Sequence, residues 1–446
     1  MDLTNLYAVS AGDGARLIRD GVITSEQLVQ ACLDRVAAVD KDVEAWAFLD
    51  PEHALAQARA ADEWRLSGQP TGPLHGVPVG IKDIMDTADM PTECGSVLHA
   101  GRTPSRDATV VARLRGAGAV IMGKTVTTEF ATRSPGKTRN PHNPAHTPGG
   151  SSSGSAAAVA TGMVPLALGS QTAGSTIRPA AYCGVYGLKP THGLVSRAGM
   201  LRLSRSVDHV GLFARSLDDL ALLLEQLAGH DELDPDTRPR ARVPYRHVAA
   251  EPPPLEPMFG LVKTSRWSDV DADACEAFGE LVAALGARVE EVELSISAET
   301  TAAWHRDIVG AEMARNLERE WTSGRDRLSA SLRERLERGR QVSAFDYLSA
   351  LARLPELHAS FTELFQQRYD ALITPAAAGT APAGLESTGD PAFCTLWTLT
   401  GLPALSLPIM RGANDLPLGV QLVGSRDADA RLLRTARWLV DHVASS

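Results

Sequence analysis

The chain has little cysteine. Five residues, Cys32, Cys94, Cys183, Cys275 and Cys394, are scattered over 446 positions with no CxxC spacing. An odd, dispersed set implies neither a disulfide framework nor a zinc knuckle. No apolar run reaches the ~18 residues that a membrane span requires, so no membrane contact is expected. The N-terminus, MDLTNLYAVSAGDGARL, lacks the basic-then-apolar layout of a signal peptide, and a cytoplasmic location is the resulting expectation. Positive charge is not in excess. The net charge of −10 gives no reason to expect nucleic acid as a partner. What is present is an ordinary globular balance, 44% hydrophobic and 22% charged, enough for a large buried core. The length allows two or three domains, although one large α/β enzyme domain can also run this long.

Periodicity organises the chain. Residues 24–38 (TSEQLVQACLDRVAA) read as an amphipathic helix capped by Thr24 or Ser25, with Leu28, Val29, Cys32 and Val36 on one face. Residues 77–81 (VPVGI) read as a short buried strand leading into Lys82. Residues 107–115 suggest a helix and 118–122 a strand. The same alternation returns at 418–423 and 428–443. It points to an α/β layered domain with much parallel sheet. Residues 132–155 are too rich in Gly, Pro, Ser and Asn for regular structure, and long irregular loops are usually functional. Residues 156–168 (AAAVATGMVPLAL) suit a helix packed closely on a sheet. Residues 231–256 read as a surface connection. Residues 298–369 read as charged, solvated helices covering the core.

Three segments carry chemistry. Gly76-Val-Pro-Val-Gly-Ile-Lys82-Asp83 sets a lysine at the end of an apolar strand. Loss of hydration lowers its pKa and lets it act as a base. Pro148-Gly-Gly-Ser151-Ser-Ser-Gly-Ser155 and Gly169-Ser-Gln-Thr-Ala-Gly-Ser175-Thr-Ile-Arg178 set hydroxyls among glycines. There the backbone can approach a ligand closely and its N–H groups can converge on an anion. Both run directly into apolar sequence, which a flexible linker would not do.

Together these segments resemble the amidase signature family, in order and spacing. The resemblance is dense over about residues 60–230 and resumes in 371–375 and 387–424. It implies a single α/β/α domain over residues 1–446, with a large mixed sheet covered by helices. The catalytic core would occupy about 60–230 and 371–443, and a helical cap about 231–370. It also implies Ser175 as nucleophile, Lys82 as base, and Ser151, preceded by a cis peptide bond, as proton relay. Thr172, Ala173 and Gly174, with the Ser175 N–H, would form the oxyanion hole. Gly149, Gly150 and Arg178 would meet the substrate. No metal or organic cofactor is implied.

Some residues depart from the family pattern. Ser153 and Ala173 replace glycines, Gln171 replaces an aspartate, and the arginine falls one residue later, at Arg178. These changes bear on the substrate subgroup. The variant most resembles small bacterial amidases of the malonamidase type. Arg178 could grip a substrate carboxylate or could be a structural arginine tied to a local carboxylate. The expected activity is hydrolysis of a small amide, with an ester or a carbamate (urethane) as alternatives. A second reading is the A-type subunit of a tRNA-dependent amidotransferase, which hands ammonia to a partner. Gln171 argues against it. A homodimer stays open alongside a monomer.

Three other patterns are decoys. Gly118–Thr125 fits GxxxxGK[ST], but its intervening residues form a strand and leave no phosphate loop, so Lys124 is expected to be solvated or paired. His142 and His146 cannot share a helix across Pro141, Pro144 and Pro148. Asp208 and His209 are adjacent on a strand and point to opposite faces, so they cannot both serve one relay.

Overall fold

A computed structural model describes residues 3–294 and 296–445. Eleven strands form one sheet: β1 (Trp46–Leu49), β2 (Pro78–Lys82), β3 (Val120–Thr125), β4 (Leu166–Gln171), β5 (Tyr186–Lys189), β6 (His209–Ala214), β7 (Phe259–Val262), β8 (Val289–Val292), β9 (Ala371–Pro375), β10 (Ala404–Arg411) and β11 (Pro417–Val423). Their order is β1-β3-β2-β4-β6-β5-β10-β11-β9-β7-β8. β2 is parallel to both neighbours, and so is β7, whereas β5, β6, β10 and β11 pair antiparallel. The result is a single α/β domain with a mixed sheet and helices, as expected.

The local readings translate into elements. Thr24 caps the Ser25–Val43 helix through a full capping box with Gln27, and the helix runs past its expected end to a left-handed C-cap at Glu44. Every residue of β2 and β3 is buried, which explains why both read as unbroken apolar runs. Residues 156–168 are not one helix. The helix spans Ser153–Ala160, Gly162 turns the chain at φ +77°, and Leu166 opens β4. Small residues there have a packing cause: a Cβ on Gly154 would stand 2.2 Å from Ala45 O.

The 231–256 connection is more than surface. Asp234 is buried against Arg197 at 2.9 Å, and the Tyr245–Ala250 helix buries Tyr245 and Ala249 in the core. The 231–370 region is likewise not all helical cap. Short strands β7 and β8, joined through the Ala272–Leu285 helix, extend the sheet within it. An uninterrupted run of helices starts only at Ala298, with Ala298–Asn316, Glu318–Gly324, Ala330–Gln341 and Ala344–Gln367. Its first helix packs on Ala330–Gln341, on Ala344–Gln367 and on the Ala392–Leu399 helix. Among the described residues, no helix is long and apolar enough to cross a membrane.

Candidate active site

β2 delivers Lys82 into the protein interior, where its side chain is completely buried. Nζ lies 2.7 Å from Ser151 Oγ, 2.8 Å from Ser170 Oγ and 3.1 Å from Ser152 Oγ. No carboxylate pairs with it among the described residues. Burial pulls its pKa well below the ordinary lysine value, against a weaker opposite pull from Asp208. Ser151 sits at the end of the irregular loop, behind a cis Gly150–Ser151 peptide. Ser175 lies in the turn from β4 to the Ile177–Cys183 helix and is 9% exposed. Its hydroxyl makes no hydrogen bond among the described residues, so Lys82–Ser151 is formed and Ser151–Ser175 is not.

The turn 172–175 is held by its carbonyls. Thr172 O accepts from His305 Nε2 at 2.7 Å, and Ala173 O accepts from Thr398 Oγ1 at 2.5 Å. Gly174 O accepts from Arg178 N at 3.0 Å. In a trans peptide, C=O and the following N–H point in opposite directions. Anchoring these three carbonyls therefore aims the N–H groups of Ala173, Gly174 and Ser175 the other way. None of the three donates a hydrogen bond among the described residues. Gln171 completes the turn: Oε1 accepts from Thr176 N and Ile177 N at 2.8 and 3.0 Å, and Nε2 donates to Thr398 Oγ1 at 2.9 Å. Two incoming N–H groups fix which end of this amide is oxygen.

Asp208 braces the same turn. Its carboxylate accepts from Thr172 Oγ1 at 2.6 Å and from Leu203 N and Ser204 N at 2.8 Å. Burial raises its pKa to about 6 despite these bonds. His209 points elsewhere, to Val207 O and to Lys189. The adjacent pair thus serves two separate sites.

Arg178 matches neither role foreseen for it in full. It is buried, and no carboxylate pairs with it among the described residues. Nε donates to Thr388 O at 2.6 Å and Nη2 to Gly150 O at 2.6 Å. Nη1 is buried without a hydrogen-bond partner among the described residues. A Cβ on Gly174 would stand 2.8 Å from it, so the free nitrogen lies beside the turn. Gly149 and Gly150 are required by close packing: a Cβ there would meet Pro179 Cα at 2.8 Å and Thr388 Cγ2 at 2.7 Å.

The decoys resolve physically. Lys124 is paired, not solvated. It is fully buried and donates to Met85 O, Pro91 O and Thr92 Oγ1, with Asp83 at 3.5 Å. His142 and His146 bond the carbonyls of Cys183 and Ala381. No group of three or more potential metal ligands occurs among the described residues. Sequence reasoning missed His305 and Thr398. Thr398 lies within the 387–424 stretch that carries the family resemblance, whereas His305 sits on a helix taken as cover.

Known proteins agree with this architecture. The amidase family profile matches residues 27–433. The A-type subunit of glutamyl-tRNA(Gln) amidotransferase from Moorella thermoacetica is 36% identical over 97% of this chain and 96% of its own. The native peptide amidase of Stenotrophomonas maltophilia superposes with a TM-score of 0.86 at 30% identity, covering 98% of this chain and 97% of its own. A structure from a vestigial protein complex bearing on the origins of an s-triazine catabolic enzyme gives 0.90 at 29%, covering 97% and 98%. On this match of sequence and fold, the chain belongs to the amidase family and is an amide-hydrolysing enzyme.

Proposed function

We propose that the chain cleaves a small amide through an acyl-enzyme on Ser175, with Ser151 as proton relay and neutral Lys82 as base. The observation that carries this is a buried lysine amine facing three hydroxyls and no carboxylate. A neutral amine has two hydrogens and one lone pair. Ser152 Oγ already donates to Ser170 O, so toward Ser152 the amine can only donate, and in this reading its second hydrogen goes to Ser170 Oγ. Its lone pair then accepts from Ser151, whose own oxygen is left to take the Ser175 proton. Catalytic hydrogen bonds often tighten only in the substrate complex, which accommodates the open Ser151–Ser175 leg. Ser175 Oγ bonds to the amide carbon, the oxyanion is held by the turn N–H groups, and the leaving amine departs with the relayed proton. Water then attacks the acyl group and returns a proton along the same path.

Arg178 supports an anionic group on the substrate. Its charge is buried, without a counter-ion, and one nitrogen is free beside Gly174, with Gly149 and Gly150 close by. Esters and carbamates present the same tetrahedral chemistry, which keeps a urethanase reading within reach of this site. The amidotransferase reading rests on a separate observation: relatives of that name match at 35–36% identity over nearly the whole chain. The comparisons favour it over a malonamidase-type subgroup, and it implies glutamine as ammonia donor and a partner protein that receives the ammonia.

The test is a panel of acidic and neutral amides, esters, carbamates and glutamine, assayed with the purified chain and with Ser175→Ala. Serine-dependent turnover of a small amide by the chain alone supports the first reading. Turnover of glutamine alone, and only with a co-purifying partner, supports the second. Full activity in Ser175→Ala would overturn both.

A further inference from the structure

The Ala298–Asn316 helix carries no sequence motif, yet it holds the oxyanion turn at two points. His305 reaches Thr172 O directly. Glu312, two turns further on, accepts from Ser206 N and Oγ at 3.1 and 2.5 Å, from Tyr347 OH at 2.9 Å, and from Ser204 Oγ. The 203–206 loop it grips supplies Leu203 N and Ser204 N to Asp208, whose other oxygen holds Thr172 Oγ1. The helix therefore fixes both the backbone and the side chain of Thr172.

We propose that His305 is a positioning residue, which locks the Thr172–Ala173 peptide so that the Ala173 N–H faces the oxyanion. This rests on the Ser175 reading above. A turn of threonine, alanine and glycine resists peptide rotation weakly. A flipped Thr172–Ala173 unit would remove one donor and turn a carbonyl dipole toward developing negative charge. The His305 bond opposes that flip. A carbonyl acceptor requires the ring hydrogen on Nε2, which sets the tautomer. Burial pulls the ring pKa down to about 4, so the donor is a neutral imidazole at neutral pH.

The experiment compares wild type, His305→Phe, His305→Gln and Ser175→Ala by the p-nitrophenyl acetate burst and steady state, per titrated active site. Melting temperatures are recorded alongside. Phenylalanine keeps a ring without a donor, and glutamine restores an N–H of similar reach. The expected result is a fall in kcat of at least about tenfold in His305→Phe, approaching the ~100-fold cost of a lost oxyanion donor. KM should stay within about twofold, and His305→Gln should recover most of kcat. Unchanged kcat in folded His305→Phe overturns the proposal. So does an equal loss of kcat in both folded variants, and if His305→Phe does not fold, His305→Gln with a kcat as low as unfolded background does the same. A burst that survives in Ser175→Ala would instead sink the serine reading and leave the role of His305 to fall with it.

Discussion

Gln171 donates from Nε2 to Thr398 Oγ1 across 2.9 Å, and this sets the direction of the threonine's single hydrogen. With its oxygen accepting, Thr398 turns that hydrogen to Ala173 O, the shorter of its two carbonyl contacts. The family's aspartate at this position could only accept, and the hydroxyl would turn toward it. Gln171→Glu recreates that acceptor and takes the hydrogen from Ala173 O. The expected outcome is a fall in kcat of about tenfold, on the scale of one hydrogen bond of ~1.5 kcal/mol, with little change in KM. Steady-state kinetics on a small amide checks it, and an unchanged kcat contradicts the assigned direction.

Lys82 links catalysis to stability. Replacement by methionine removes the base and should cost at least ~100-fold in activity. It also removes a buried group whose pKa is depressed. Between that depressed value and the ordinary lysine value of about 10.4, the unfolded chain binds the proton and the folded chain does not. Wild-type stability therefore rises with pH across this window and is lost as pH falls through it. Lys82→Met carries no such dependence. Denaturation of both proteins from pH 7 to 10 should show wild type gaining on the variant, by at most ~1.4 kcal/mol per pH unit. Parallel curves would mean that Lys82 is charged when folded.

Much of this site was legible because it is local. The run into Lys82, the two Gly/Ser segments and their order carried the hydroxyls and the lysine, and the family resemblance they support implied the mixed sheet. What stayed hidden depends on contacts across the fold. His305 meets Thr172 from 133 residues away, and Thr398 meets Ala173 from 225. A histidine among helical charges gives no local sign of such a partner. β8 (VEEV) was hidden for the opposite reason: it lies at the sheet edge, where only one of its four residues is buried. For Lys124 the sequence left solvated and paired both open, because Asp83 and the carbonyls that pair with it come from the neighbouring loop.

Asp208 should tune the base. Its negative charge favours the protonated form of Lys82. Asp208→Asn removes that charge and keeps an oxygen for Leu203 N and Ser204 N. The Lys82 pKa then falls, and the acid limb of kcat/KM moves to lower pH. In wild type the carboxyl itself is neutralised as pH falls through about 6. The two profiles should differ most above that point and converge below it. A shift to higher pH in the variant would show that Asp208 does not act on Lys82 through its charge.

Arg178 separates substrate recognition from scaffolding. Two of its nitrogens hold Thr388 O and Gly150 O, and removing them should loosen the Ser151 loop for every substrate. The third, Nη1, has no hydrogen-bond partner among the described residues. Arg178→Lys retains a charge but not the planar fork, so it cannot hold the loop and an anion together. Arg178→Met removes the charge with less loss of bulk than alanine. If Nη1 takes a substrate carboxylate, the methionine variant should raise KM for acidic amides by about tenfold or more beyond its effect on neutral ones, because a charged hydrogen bond is worth ~1.5–3 kcal/mol. Equal losses for both classes would confine Arg178 to holding the loop, and the substrate would then be sought among neutral amides.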